Sequence, residues 1–265
     1  MSDSLASVTL LRRRIDRLAP ARPPCADRLG TGCAALDARL AGGGLAHGAL
    51  HELIAPDRAD ATVARGLAAM LAARTAGPLV WLHVAAARRP GLGGALYPPG
   101  LREIGVDPAR LLLVGAPDPP ALLHAAGDVL RCPEVALAVI ELWGPVRLLD
   151  LTASRRLALA AEGSGVLGLL LRVGVGPAPS AAATRWVVRA AASTPLPAHA
   201  PGLPALDLQL VRQRGGPAGV AWRVEWDRDR NVLCEPAPSG AVASLPERRP
   251  AGSATPAVRG LARAA

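Results

Sequence analysis

Gly77-Pro78-Leu79-Val80-Trp81-Leu82-His83-Val84 is the stretch that decides the fold class. A Gly-Pro break opens onto a short apolar run, which has the length of a buried strand. Three more such runs follow, Leu111 to Val114, Val135 to Leu142 and Val166 to Val173. Helix-like segments over 120–131 and 152–162 lie between them. Strands that alternate with helices of this length need crossover connections, and those produce a mostly parallel sheet covered by helices. The expected class is α/β.

Working outward from that core, the pattern changes after Pro179. Arg185 to Arg189 and Asp207 to Arg214 read as extended. Val220, Trp222, Val224 and Trp226 then alternate with Ala221, Arg223, Glu225 and Asp227, a period of two. Gly215-Gly216-Pro217-Ala218-Gly219 supplies turn residues, so 206–227 is expected to be an antiparallel hairpin that extends the sheet. At the other end, Leu5, Val8, Leu11, Ile15 and Leu18 recur at helical spacing, with Arg12, Arg13, Arg14, Asp16 and Arg17 largely off the stripe. That spacing predicts an amphipathic helix over 4–18, ended by Pro20, Pro23 and Pro24. The expected organisation is a helix and Pro-rich linker over 1–24, a core domain over 25–234, and a disordered tail over 235–265 made of Pro, Ala, Ser, Gly and Arg.

Composition narrows the chemistry. The chain has 265 residues, of which 51% are hydrophobic, with five Trp, one Tyr and no Phe, so Ala, Leu and Val must fill the core. All 30 basic side chains are arginine, against 21 acidic ones, for a net charge of +9. With no lysine anywhere, mechanisms built on a Walker A lysine, a Schiff-base lysine or a Ser-Lys dyad are excluded. The four cysteines, Cys25, Cys33, Cys132 and Cys234, form no C-x-x-C pair and read as reduced thiols. No apolar run reaches about 18 residues and no leader pattern stands at the start, so a cytoplasmic protein with no membrane span is expected.

Leu29-Gly30-Thr31-Gly32-Cys33-Ala34-Ala35-Leu36-Asp37, followed by Gly42-Gly43-Gly44-Leu45-Ala46-His47-Gly48-Ala49-Leu50-His51-Glu52-Leu53, resembles the start of the core of RecA-type recombinases. Leu101 to Asp107, Arg110 to Val114, Asp118 and the strand through Val139-Ile140-Glu141 look like the middle of the same core. Within that group the chain is most similar to the ImuA family. The residues carrying this are the Gly-Gly-Gly-Leu and His-Glu stretch, Thr152 to Glu162, Leu210 to Gly216, Trp222 and Glu225-Trp226-Asp227.

The resemblance implies a RecA-like accessory protein of SOS-induced translesion synthesis. Its implied partners are a catalytically inactive Y-family polymerase-like protein (ImuB-like) and an error-prone replicative-type polymerase, with recruitment to the nucleoid on DNA damage. It also makes the stripe Leu5, Val8, Leu11, Ile15 and Leu18, together with Arg248 and Arg249 of the tail, candidate partner-binding or homo-oligomer contacts. A SulA-like inhibitor of cell division and a residual ATP- and DNA-binding recombinase remain the alternatives.

A working phosphate loop needs glycines to wrap phosphate, a lysine, and a Ser or Thr for magnesium. Aligned on the strand Leu50 to Ile54, Ala55 and Asp60 stand where that pattern has glycines and Ala61 stands where it has lysine. Only Pro56, Asp57 and Thr62 fit, and no acidic residue lies between Asp60 and Glu103 to activate water. Glu141 ends its strand at a Walker B-like position, where a carboxylate holds magnesium through water or serves as a structural hydrogen-bonding group. The expectation is a non-enzymatic protein with no cofactor and no metal. His47 and His51 lack a third ligand. The connections Trp143 to Arg147 and Gly174 to Thr184 carry no basic cluster with aromatics, so DNA contact is expected to be weak and sequence-independent.

Overall fold

The computed structural model describes residues 28–85, 94–196 and 200–236. The predicted helix over 4–18, its linker, and Arg248 and Arg249 lie outside the described residues. In chain order the elements are β1 (Arg28–Leu29), α1 (Ala34–Asp37), β2 (Leu45–Ala46), β3 (Ala49–Ala55), α2 (Ala61–Ala73), β4 (Leu79–Val84), α3 (Pro98–Ile104) and β5 (Leu111–Ala116). Then come α4 (Pro119–Val129), β6 (Leu137–Trp143), α5 (Leu151–Ser164), β7 (Leu167–Val173), β8 (Thr184–Ala190), β9 (Ala205–Gln213), β10 (Val220–Asp227) and β11 (Val232–Cys234).

Nine strands form one sheet in the order β11-β10-β9-β8-β3-β7-β6-β4-β5. The strands from β8 through β3, β7, β6 and β4 to β5 are parallel. From β8 outward, β9, β10 and β11 pair antiparallel. The sheet is therefore mixed and mostly parallel, and the hairpin expected over 206–227 extends it as β9 and β10. The segment around Arg185 also joins the parallel set, which no local pattern reveals, since a parallel partner is chosen by the crossover and not by a turn.

Helix limits follow from their caps. The Asp118 carboxylate accepts from Ala121 N at 2.8 Å, which with Pro119 at the first helical position starts α4 a residue early. Asp150 does the same for α5 by accepting from Ala153 N at 2.7 Å. Gly165, left-handed at φ 86°, ends that helix. Val135, expected to open a strand, donates instead to Cys132 O at 3.1 Å in the turn that precedes β6.

Two apolar layers sandwich the sheet. On one face Leu53, Trp81, Val139, Leu169, Trp186 and Trp226 pack with Ala64, Leu67 and Leu71 of α2. On the other, Leu50, Leu82, Ile140 and Leu170 meet Leu122 of α4, Leu130 just past its end, and Leu157 of α5. The helices ride close to the sheet because their inward faces are largely alanine and leucine. Gly168 marks one such close approach, where a Cβ would lie 3.0 Å from Leu130 and 3.1 Å from Leu50. Each buried leucine contributes about 1.5–3 kcal/mol of transfer free energy, so the absence of phenylalanine is offset by number.

The glycine run near the start has a local reason. Gly42 and Gly43 are left-handed, at φ 86° and 81°, and turn the chain back from α1. A Cβ on Gly44 would sit 2.7 Å from Leu29 O, so only glycine lets β2 pair with β1 there. Asp37 fastens the preceding turn, accepting from Thr31 N at 2.9 Å, Thr31 Oγ at 2.8 Å and Gly32 N at 3.1 Å.

Candidate functional site

In a parallel α/β sheet the ligand-binding edge lies at the carboxyl ends of the strands. The turn from β3 into α2 is at that edge, and it holds Ala55, Asp60, Ala61 and Thr62. Residues Arg58–Asp60 form a single 3-10 turn rather than an open loop. Its amides are already engaged: Ala59 N donates to Asp57 Oδ1 at 2.9 Å, Asp60 N to Asp57 O at 3.2 Å, and Ala61 N to Arg58 O. A phosphate needs converging free N–H groups, and these three point at their own turn.

Asp60 is committed as well, since its carboxylate accepts from Ala190 N at 2.9 Å and ties the turn to the end of β8. Ala55 O accepts from Gly174 N at 2.8 Å, and the Arg58 side chain lies across Gly174. Thr62 is exposed on the first turn of α2. With Asp57 and Asp60 both in the turn, an incoming phosphate meets like charge.

Glu141 lies near the end of β6, 1% exposed, on the sheet face that α2 covers. Its Oε1 accepts from Arg65 Nε at 2.9 Å and from Trp143 Nε1 at 2.5 Å, and Arg65 Nη2 stands 2.6 Å away. Its Oε2 accepts from Trp81 Nε1 at 2.9 Å. The guanidinium also lies over the Trp143 ring, 5.5 Å from its centroid. The cation beside this carboxylate is thus a side chain of the protein, and the two indoles occupy the remaining lone pairs. Arg65 was not singled out from sequence. The signal for it is its position four residues after Ala61, which places a cation on the helix face where the phosphate-loop lysine is missing.

His83, the strand neighbour of Glu141, donates from Nδ1 to Val114 O at 2.9 Å, and its buried Nε2 has no partner. His51 is 0% exposed, with Nδ1 2.8 Å from Thr184 Oγ1 and Nε2 2.9 Å from Ala46 O. Burial holds its imidazole down at about 4, with smaller contributions from the Ala46 hydrogen bond, which raises it, and from Arg28 and His47, which lower it. No group of three or more His, Cys, Asp or Glu side chains able to hold a metal occurs among the described residues.

A second buried carboxylate, Glu52 in the middle of β3, is 0% exposed. It accepts from Arg172 Nη1 at 3.1 Å, Ser180 Oγ at 2.7 Å and Arg185 Nε at 2.7 Å. Arg185 Nη2 reaches Ser180 Oγ at 2.7 Å, and Arg212 Nη1 reaches Ser180 O at 2.9 Å. A glutamate inside an apolar strand run must find such donors, and that requirement was the available signal. The cluster staples β7, β3 and β8 together.

The two connections weighed for DNA contact are fastened to the body. Gly144 N donates to Val173 O at 2.8 Å. Along 174–184, Ala181 N donates to Ser154 Oγ at 3.1 Å and Ala183 N to Leu50 O at 2.7 Å. Among the described residues no helix is long and apolar enough to cross a membrane.

No protein-family model matches the chain. Among curated proteins it is similar to Protein ImuA of two Caulobacter vibrioides strains, 36% identical over 201 residues, covering 69% of this chain and 78% of the relative. Among solved structures it is similar to the RadB recombinase, with a TM-score of 0.52, 16% identity, and coverage of 78% of this chain and 99% of that one. At that identity the likeness establishes a shared fold, a RecA-like core.

Proposed function

The chain belongs to the ImuA family, and from that premise we propose that it works as a non-catalytic accessory subunit of the damage-induced translesion synthesis complex. The observation that carries the non-catalytic part is the Arg65–Glu141 pair, closed by Trp81 and Trp143. A nucleotidase holds its carboxylate open for hydrated magnesium; this one is neutralised internally. The self-bonded turn at Arg58–Asp60 supports the same reading. What the fold then offers is surface, for the inactive Y-family polymerase-like subunit and the error-prone polymerase. Arginines add a weak, salt-labile attraction to DNA.

The test has two arms. Equilibrium titration with a fluorescent ATP analogue and magnesium is expected to give no saturable binding, and turnover no higher than that of heat-killed protein. Saturable binding with hydrolysis would sink the non-catalytic reading. Affinity capture from DNA-damaged cells, washed in high salt to strip arginine-driven contacts, is expected to retain the polymerase-like subunit. Retention of a cell-division GTPase in its place would transfer the chain to the division-inhibitor role.

A further inference from the structure

The outer surfaces of α4 and α5 enclose an open groove of about 610 Å³ between Pro120, Leu123, Leu148 and Leu157. It continues along α5 into a second concavity of about 510 Å³ bounded by Leu159 and Gly163. Arg131 and Arg156 line both, so the two form one trough with a guanidinium on either wall. Gly127 and Ala153, which have little or no side chain, lie in its lining. Leu148 and Leu159 are 57% and 54% exposed, so the trough presents apolar side chains to solvent.

The charge in the trough selects its occupant. Arg131 is paired with the exposed Asp128 at 3.1 Å, and Arg156 makes no ion pair among the described residues. Arg147 and Arg155 are exposed just before and on α5, against Asp128 in the lining and the exposed Asp150 and Glu162, which leaves a surplus of one positive charge. The chain's own ends are unsuited to it: the apolar stripe over 4–18 travels with Arg12, Arg13, Arg14 and Arg17, and the tail carries Arg248 and Arg249. A second copy brings the same sign, with a net charge of +9.

We propose that the α4–α5 trough is the docking site for an acidic amphipathic helix of a partner protein, whose leucine-type side chains at i, i+3/i+4 and i+7 enter between Leu148 and Leu159 while flanking carboxylates meet Arg156 and Arg131. The 14 residues of α5 span about 20 Å, enough for three turns of such a helix. The proposal rests on the accessory-subunit reading, and it names which surface of this chain the partner grips.

The experiment uses the full chain and the purified polymerase-like subunit, with dissociation constants measured by titration calorimetry. Arg156→Glu and Leu159→Asp are each expected to weaken binding by about tenfold or more, as for anchor positions. Both are exposed, so thermal unfolding should be unchanged. Arg102→Glu, on α3 across the sheet, is expected to bind as the wild type does. A photo-reactive p-benzoylphenylalanine at Ala153 should cross-link to a partner peptide with Asp or Glu flanking helically spaced leucines. Equal affinity of wild type and both trough variants would overturn the docking site while leaving the accessory role standing. Cross-linking to a basic segment, or to this chain itself, would overturn it too. No binding by the wild type would remove the accessory role and the docking site together.

Discussion

A carboxylate without water around it depends on its donors, and Glu141 has three side chains supplying them. Glu141→Ala leaves Arg65 charged and two indole N–H groups facing an apolar void, so a loss of about 3–5 kcal/mol is expected. The midpoint of urea unfolding reads it. Glu141→Gln keeps an acceptor and should cost less. His51 responds to acid. Its pKa is about 4 in the fold and about 6.5 unfolded, so between those values the unfolded chain binds the extra proton. Stability is then complete above about pH 6.5 and falls as the pH drops toward 4, by about 3 kcal/mol in all. Unfolding followed from pH 7 to pH 4 should show this slope, and His51→Gln should flatten it. At this scale the sequence exposes what is missing, such as lysine at Ala61, more readily than what replaces it. Arg65 reaches Glu141 across 76 positions, a contact that no local pattern encodes.

At the scale of elements, β3 is held between β7 and β8 by Glu52 in addition to the backbone ladders. One carboxylate serves two guanidiniums there, so removing its charge strands both. Glu52→Gln is expected to destabilise by about 3 kcal/mol. Adding Arg172→Met should recover part of the loss, and a double-mutant cycle by thermal unfolding measures the coupling. The elements were largely legible because their periods are local: β4 occupies the run Leu79 to Val84, and the alternation from Val220 to Asp227 is β10. That the sheet is mostly parallel was legible from the alternation of strands with helices, but which strands are neighbours was not, since β8 lies beside β3 across more than a hundred residues. Neither was the short β11, whose three residues carry no period.

For the whole molecule, the described body is closed where its first and last segments meet. Arg74, just past α2, donates from Nε to Gly30 O at 2.6 Å and from Nη1 to Asn231 O, and Leu233 N donates to Thr31 O at 3.0 Å. Gln213 adds a tie from β9, accepting from Ala41 N at 3.1 Å and donating to Arg39 O at 2.9 Å. Arg74→Ala is expected to raise amide hydrogen exchange over 29–33 and 231–234 while leaving β6 and β7 protected, because one side chain bridges both stretches. Uniform loss of protection would show instead that this closure holds the whole sheet.

The same meeting of ends governs how the protein answers force. A pull between residues 28 and 236 does not shear the parallel strands along their length. It lifts β11 from β10 a bond at a time, beginning at the contact of Leu233 with Thr31. Traction along that line peels the molecule open at low load, while the same sheet gripped across β6 and β7 would resist until many hydrogen bonds broke together.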